Sequence, residues 1–186
     1  MTALLLGHSW AKRLENSGYL PSHFFCVARP GATFKSFSNE IRSWQPDTDD
    51  DAPKYVFVLL GGNDCSNARN LDEVEDIKFE CMYFAQQCRR IYPGAKLILC
   101  GVEDRYLPQG WSHEWTIDLD HKRKGNKFNK WLNKFDNKDA MFALKGSDNF
   151  SAPLWYNPDG IHLSNVGCFR LASRLAEYFE LRKAGN

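Results

Sequence analysis

The sequence predicts an α/β protein, a three-layer α/β/α sandwich built around a five-stranded, doubly wound parallel sheet. Five apolar runs of strand length recur along the 186 residues: ALLLG (3–7), HFFCVA (23–28), YVFVLLGG (55–62), KLILCG (96–101) and AMFAL (140–144). Each is almost continuous in hydrophobicity, as suits strands covered on both faces. Between them lie segments whose apolar residues fall three and four apart, the spacing of a packed helix face. Parallel neighbours require such crossovers, so the alternation itself implies helices on both sides of one sheet.

Taken in order, the first run stops at Gly7 and passes at once into a helical pattern, leaving His8 and Ser9 at the lip of the sheet. The second is followed by RPGAT, which contains Gly31. The acidic, proline-flanked QPDTDDDAPK (45–54) reads as the loop before the third strand, and that strand ends in GGND with Asn63 and Asp64. A long loop follows the fourth strand, from Glu103 to about Asp120, before a helix marked by Phe128, Trp131, Leu132 and Phe135. After the fifth run comes NPDGIHLS, with Asp159 and His162. A last helix follows, with a predicted packed face of Val166, Phe169, Ala172, Leu175, Ala176 and Phe179.

Composition suits one medium-sized domain spanning 1–186, with 43% hydrophobic and 25% charged residues. With 24 basic against 23 acidic side chains there is no general pull toward nucleic acid or membrane, and any such attraction has to come from a local patch. Cys26, Cys65, Cys81, Cys88, Cys100 and Cys168 form no CxxC pair and several sit in apolar runs, so they are expected to be reduced, packed thiols. No charged-then-apolar leader precedes the first strand, and no apolar stretch nears the ~20 residues that span a bilayer. The expectation is a soluble, cytoplasmic domain, and Met1 lies close enough to the first strand to suit a domain cut from a longer protein.

In a parallel sheet the carboxyl ends of the strands share one edge, and ligands bind beyond it. The segments that leave that edge carry Ser9, Gly31, Asn63 and the pair Asp159 and His162. A serine hydroxyl becomes a nucleophile when a base takes its proton; His162 has the right type, and Asp159 three residues earlier can orient its ring. A developing oxyanion needs neutral donors, which the backbone N–H groups of Ser9 and Gly31 and the amide of Asn63 can supply.

These four blocks, in this order, resemble the SGNH/GDSL hydrolases over essentially the whole chain. Gly7, His8 and Ser9 match the family's Gly-Asp-Ser block, Gly31 its oxyanion glycine, Gly61 to Asp64 its Gly-x-Asn-Asp block, and Asp159 and His162 its Asp-x-x-His block. The resemblance implies a flavodoxin-like sheet and a serine esterase with Ser9, His162 and Asp159 as triad and with Ser9, Gly31 and Asn63 as oxyanion hole. It further implies short acyl or acetyl esters, on lipids among others, as substrates. The family's aspartate before the serine is His8 here, a departure that bears on the hydrogen bonds around Ser9 and not on the triad. More narrowly, LLLGHSWAKRL (4–14) resembles the esterase domain in the first open-reading-frame protein of LINE-type retrotransposons.

Each residue has a plainer role open to it. Ser9 could be a helix cap, Asp159 and the Asn63–Asp64 pair turn formers, and His162 a loop histidine ahead of a cap at Ser164. His8, adjacent to Ser9 and expected to point away from it, reads as structural. His113 and His121 lack metal-ligand spacing, so neither metal nor cofactor is expected. Tyr106, Leu107, Trp111 and Trp115 suit either packing or an apolar wall for an acyl chain. Lys122, Arg123 and Lys124, in HKRKGNKFNK, suit a solvated helix face or a contact with RNA or anionic lipid. Two other functions therefore stand beside the esterase: a non-catalytic lipid- or RNA-binding module on the same fold, and a carbohydrate acetyl-esterase using the loop tryptophans for stacking.

Overall fold

The computed structural model describes residues 2–38, 40–41, 52–107, 115–135 and 152–184. Strand β1 (Ala3–Gly7) leads to helix α1 (Ser9–Ser17), then β2 (Phe24–Ala28), the short α2 (Phe34–Phe37) and β3 (Tyr55–Leu59). Helices α3 (Gly62–Asn67) and α4 (Val74–Ile91) precede β4 (Lys96–Leu99), which is followed by α5 (Leu119–Phe135), a 3-10 turn (Ala152–Trp155) and α6 (Asn165–Ala184). The four strands are all parallel, in the order β2-β1-β3-β4, with Gly7 level with Ala28 and Leu59. That is the flavodoxin-like order. The fifth predicted strand, AMFAL, lies outside the described residues, as does most of the acidic 45–54 segment.

Both faces of the sheet are covered, which is why its strands read as unbroken apolar runs. Alternate side chains separate into two cores. Ala3, Leu5, Tyr55, Phe57, Leu59 and Ile98 pack with α1 and α6. Leu4, Leu6, Val56, Val58, Leu97 and Leu99 pack with α2, α4 and α5. Gly7 is required where β1 turns into α1, because a Cβ there would stand 2.7 Å from that of Ala11 and 3.0 Å from the carbonyl oxygen of Leu59.

The last helix buries Ala172, Leu175 and Phe179 of its predicted face but not the whole of it. Val166 and Phe169 are exposed, while Cys168, Leu171, Ala172, Leu175 and Phe179 are buried. Phe169 instead meets Tyr19 edge to face on the surface, with ring centroids 5.6 Å apart. All six cysteines are free, five of them buried, and burial pushes the half-buried Cys26 thiol up to about 12. Among the described residues no helix is long and apolar enough to cross a membrane.

Candidate active site

The chain leaves β1 toward β2 on one side and returns to β3 on the other, so a crevice opens between the carboxyl ends of β1 and β3. Ser9 and Asn63 stand on either side of it. Ser9 is the first residue of α1 and does not cap it. The cap is His8, whose Nδ1 accepts from Trp10 N–H at 3.3 Å. Ser9 Oγ thus makes no hydrogen bond among the described residues, and its backbone N–H is one of the unpaired donors of the helix start.

His162 arrives from the far end of the chain on a tight turn. Tyr156 bridges to Leu163, Asn157 N–H donates to the His162 carbonyl at 2.7 Å, and Gly160 N–H donates to the Asn157 carbonyl at 2.8 Å. Inside this turn Asp159 Oδ1 accepts from the N–H groups of Ile161 and His162, each at 2.8 Å, while Oδ2 bonds His162 Nδ1 at 2.8 Å. Burial alone would raise the Asp159 pKa; the bonds from His162 and Ile161 outweigh it and hold the carboxyl below its ordinary value. Turn former and ring orienter are therefore one side chain.

Two side chains of α1 fasten that turn beside Ser9. Trp10 Nε1 donates to the Ile161 carbonyl at 2.7 Å, and Arg13 donates to the Leu163 carbonyl at 3.1 Å. The residues next to Ser9 and next to His162 are thus joined directly, although no hydrogen bond links Ser9 Oγ to the imidazole. Such a bond commonly tightens only when substrate is present.

Opposite, Asn63 Nδ2 donates one hydrogen to the Ala32 carbonyl at 2.9 Å, tying α3 to the turn that carries exposed Gly31. Its Oδ1 accepts from Arg105 Nη2 at 2.9 Å. Among the described residues the N–H groups of Ser9 and Gly31 and the second amide hydrogen of Asn63 are left without an internal acceptor. Asp64 points elsewhere: its Oδ1 accepts from Phe34 N–H at 3.1 Å, and burial raises its pKa to about 6.

The remaining predicted residues are placed as follows. Tyr106 is buried in the core and packs edge on against Tyr156 and Trp115, while its N–H bonds the Gly160 carbonyl at 2.9 Å; it supports the histidine turn from beneath. Leu107 is exposed, Trp115 is half-buried, and Trp111 and His113 lie outside the described residues. Lys124 is not part of a solvated basic face. It is buried, with its ammonium bonded to the Ala68 carbonyl and the Asp120 carboxylate, because two acceptors lie within reach of its stem. Lys122 pairs with Asp104 at 3.2 Å, and Arg123 is exposed. Among the described residues no three His, Cys, Asp or Glu side chains converge as a metal would need. A groove of about 450 Å³ between α2, α3 and α4, lined by Thr33, Asp64, Asp76 and Phe79 among others, contains none of the triad candidates.

Arg105, Ser66 and His121 were not marked by any motif, because they are joined only by the fold. Burial, then the charge of Arg105, lowers His121 to about 4; burial, then Arg105 and His162, lowers His8 to about 3. Both are neutral in the folded protein at neutral pH.

An acid-stability prediction follows, with its sign fixed by proton counting. Below about pH 6.5 the unfolded chain binds two protons at these histidines that the folded chain refuses, so stability falls as pH falls. Asp64 opposes this from about pH 6 downward, because it takes up a proton when folded that the unfolded chain, at 3.8, does not. At about 1.4 kcal/mol per proton per pH unit, the net loss between pH 7 and 5 is on the order of 2 kcal/mol. Urea unfolding at the two pH values measures it, and His8→Asn, which keeps a capping side chain, should make the loss smaller. Equal stability at pH 7 and 5 would contradict the burial of neutral imidazoles.

With this geometry in place, the chain can be set beside known proteins. No family model matches the sequence, and no curated protein matches it in sequence. Solved structures do match in fold. A GDSL-like lipase from Bacteroides thetaiotaomicron is 16% identical with a TM-score of 0.69, covering 97% of this chain and 88% of that one. A family 3 carbohydrate esterase from Clostridium thermocellum is 17% identical with a TM-score of 0.62, covering 99% and 98%. The psychrotrophic esterase EstA from Pseudoalteromonas sp., inhibited by monoethylphosphonate, is 14% identical with a TM-score of 0.63, covering 100% and 99%. At these identities the likeness establishes the fold.

Proposed function

We propose that this chain is a serine esterase acting on carboxylic esters. The observation that carries the reading is the Asp159–His162 pair, bonded ring to carboxylate and fastened beside a Ser9 hydroxyl that has no structural task. Ser9 Oγ attacks the ester carbonyl carbon and gives its proton to His162 Nε2, while Asp159 holds Nδ1–H and stabilises the imidazolium. The N–H groups of Ser9 and Gly31 and the free amide hydrogen of Asn63 receive the oxyanion. Collapse expels the alcohol, protonated by His162. Water then attacks the acyl-serine with His162 as base, releasing the acid and restoring Ser9.

The fold likeness to a lipase, a carbohydrate esterase and an esterase supports ester hydrolysis as the reaction class. Short acyl or acetyl groups are the proposed acyl parts, with lipid esters among the candidate substrates. The Leu4–Leu14 stretch supports the finer proposal of an esterase domain within a LINE-type retrotransposon protein.

The test uses an alkyl fluorophosphonate together with p-nitrophenyl acetate, butyrate and octanoate. The expected result is one phosphonyl adduct per chain, mapped to Ser9, with hydrolysis lost in proportion to labelling and fastest for the shorter esters. Hydrolysis that persists after full labelling of Ser9, or no hydrolysis of any ester, would overturn the proposal and favour a binding role.

A further inference from the structure

We propose that Arg105 is a positioning residue of the oxyanion hole, acting through Asn63; the inference rests on the serine-esterase reading above. A primary amide can serve an oxyanion in only one of its two orientations, since the flipped form presents its oxygen to the developing negative charge. Asn63 is held in the donating orientation from both ends. Ala32 offers a carbonyl oxygen, which only accepts, and Arg105 offers a guanidinium, which only donates. A hydroxyl in place of the guanidinium would tolerate either orientation; a guanidinium does not.

Arg105 is fixed in turn by a chain whose hydrogen-bond directions are fully determined. His121 Nε2 lies 3.1 Å from the Glu103 carbonyl oxygen, which only accepts, so Nε2 carries the proton and Nδ1 is bare in the neutral ring. Nδ1 therefore accepts from Ser66 Oγ–H at 3.1 Å. The lone pairs of Ser66 then face Arg105, whose Nη1 donates to them at 2.6 Å. The backbone closes the circuit: Asp118 N–H donates to the Arg105 carbonyl at 2.9 Å, and Asp118 Oδ1 accepts from His121 N–H at 3.0 Å.

The guanidinium also lies where its charge matters. A Cβ on Gly62 would stand 3.2 Å from Arg105 Nη2 and 3.4 Å from His8 Nε2, so cation and imidazole share the turn that begins α3, between Ser9's neighbour and Asn63. Arg105 is partly buried and forms no direct ion pair among the described residues; the Asp118 carboxylate acts on it only from beyond ion-pair distance. The guanidinium charge polarises the Asn63 amide and makes the remaining N–H a stronger donor. That help grows with the charge on the ester oxygen, so it belongs to the transition state more than to the bound ester. Arg105 touches neither substrate nor nucleophile in this role.

The experiment compares Arg105→Lys, Arg105→Met, Asn63→Ala and the Arg105→Met/Asn63→Ala pair on p-nitrophenyl acetate, with thermal melts and fluorophosphonate labelling of each. Arg105→Met is expected to lower kcat about 10- to 100-fold, with KM within about twofold, and Arg105→Lys to recover part of the loss. Asn63→Ala is expected to lower kcat about 10²- to 10³-fold. The pair should lose no more than Asn63→Ala alone, because the arginine acts through the amide. Losses that multiply, a change confined to KM, or an unchanged kcat in a folded Arg105→Met or Arg105→Lys protein would overturn the assignment. A wild type that is neither labelled at Ser9 nor active would instead remove the esterase reading, and this inference with it. The ¹⁵N–¹H signals of the Asn63 amide supply a readout free of turnover: they should shift in Arg105→Met, and unchanged signals would overturn the assignment.

Discussion

Ser9→Ala is expected to leave a folded protein whose kcat/KM on p-nitrophenyl acetate is lower by a factor on the order of 10⁴ or more. Removing the nucleophile of a serine triad leaves only the rate supplied by binding and the oxyanion donors. The variant is structurally mild because His8, not Ser9, accepts the Trp10 N–H at the start of α1, and alanine is a better helix former than serine. Unfolding free energy should stay within about 0.5 kcal/mol of the wild type. If Ser9 served only as a cap, its loss would cost about 1 kcal/mol and leave hydrolysis untouched. The two roles thus predict opposite patterns in the same pair of measurements. His162→Ala should lose nearly as much activity, and the double variant little more, since nucleophile and base act as a unit.

The largest effect on stability is expected at a residue that takes no part in the chemistry. Gly160 has φ +70°, and a Cβ there would stand 2.2 Å from the Tyr106 carbonyl oxygen and 2.7 Å from its carbon. Those atoms are backbone and cannot rotate aside. Gly160→Ala therefore adds the left-handed penalty of about 1–2 kcal/mol to the loss of a close approach that includes the Tyr106 N–H bond to the Gly160 carbonyl. A total of about 3 kcal/mol should lower the thermal midpoint by roughly 6–12 °C. Because Gly160 lies between Asp159 and His162, kcat should fall with it even well below the midpoint. An unchanged melt and unchanged kcat would show that the 156–163 turn can move away from Tyr106 at no cost.

Much of the architecture was legible in the chain because it is local. Four of the five apolar runs are the four described strands, and Gly7, Gly31, Asn63, Asp159 and His162 follow strand or turn signals that a short window contains. What escaped depends on distance along the chain. Arg105 reaches Asn63 and Ser66 across 42 and 39 residues, and Ser66 meets His121 across 55; none of these separations has a period to betray it. Lys124 misled for a related reason. It sits in a run of basic residues that reads as surface, yet Ala68 and Asp120 offer it acceptors inside the fold. The face of α6 was misjudged at Val166 and Phe169, where apolar residues also cover the outside near Tyr19. Spacing alone cannot separate the two sides of a helix that is apolar around more than half its girth.

The staple from Trp10 to Ile161 spans 151 residues of chain. Ser9, Gly31, Asn63 and Arg105 all leave the ribosome before the turn that carries His162. On the proposed reading, the nucleophile is therefore made well before the base that would activate it. On the esterase reading proposed above, hydrolysis would wait until the 156–163 turn docks against α1, so activity would report that docking.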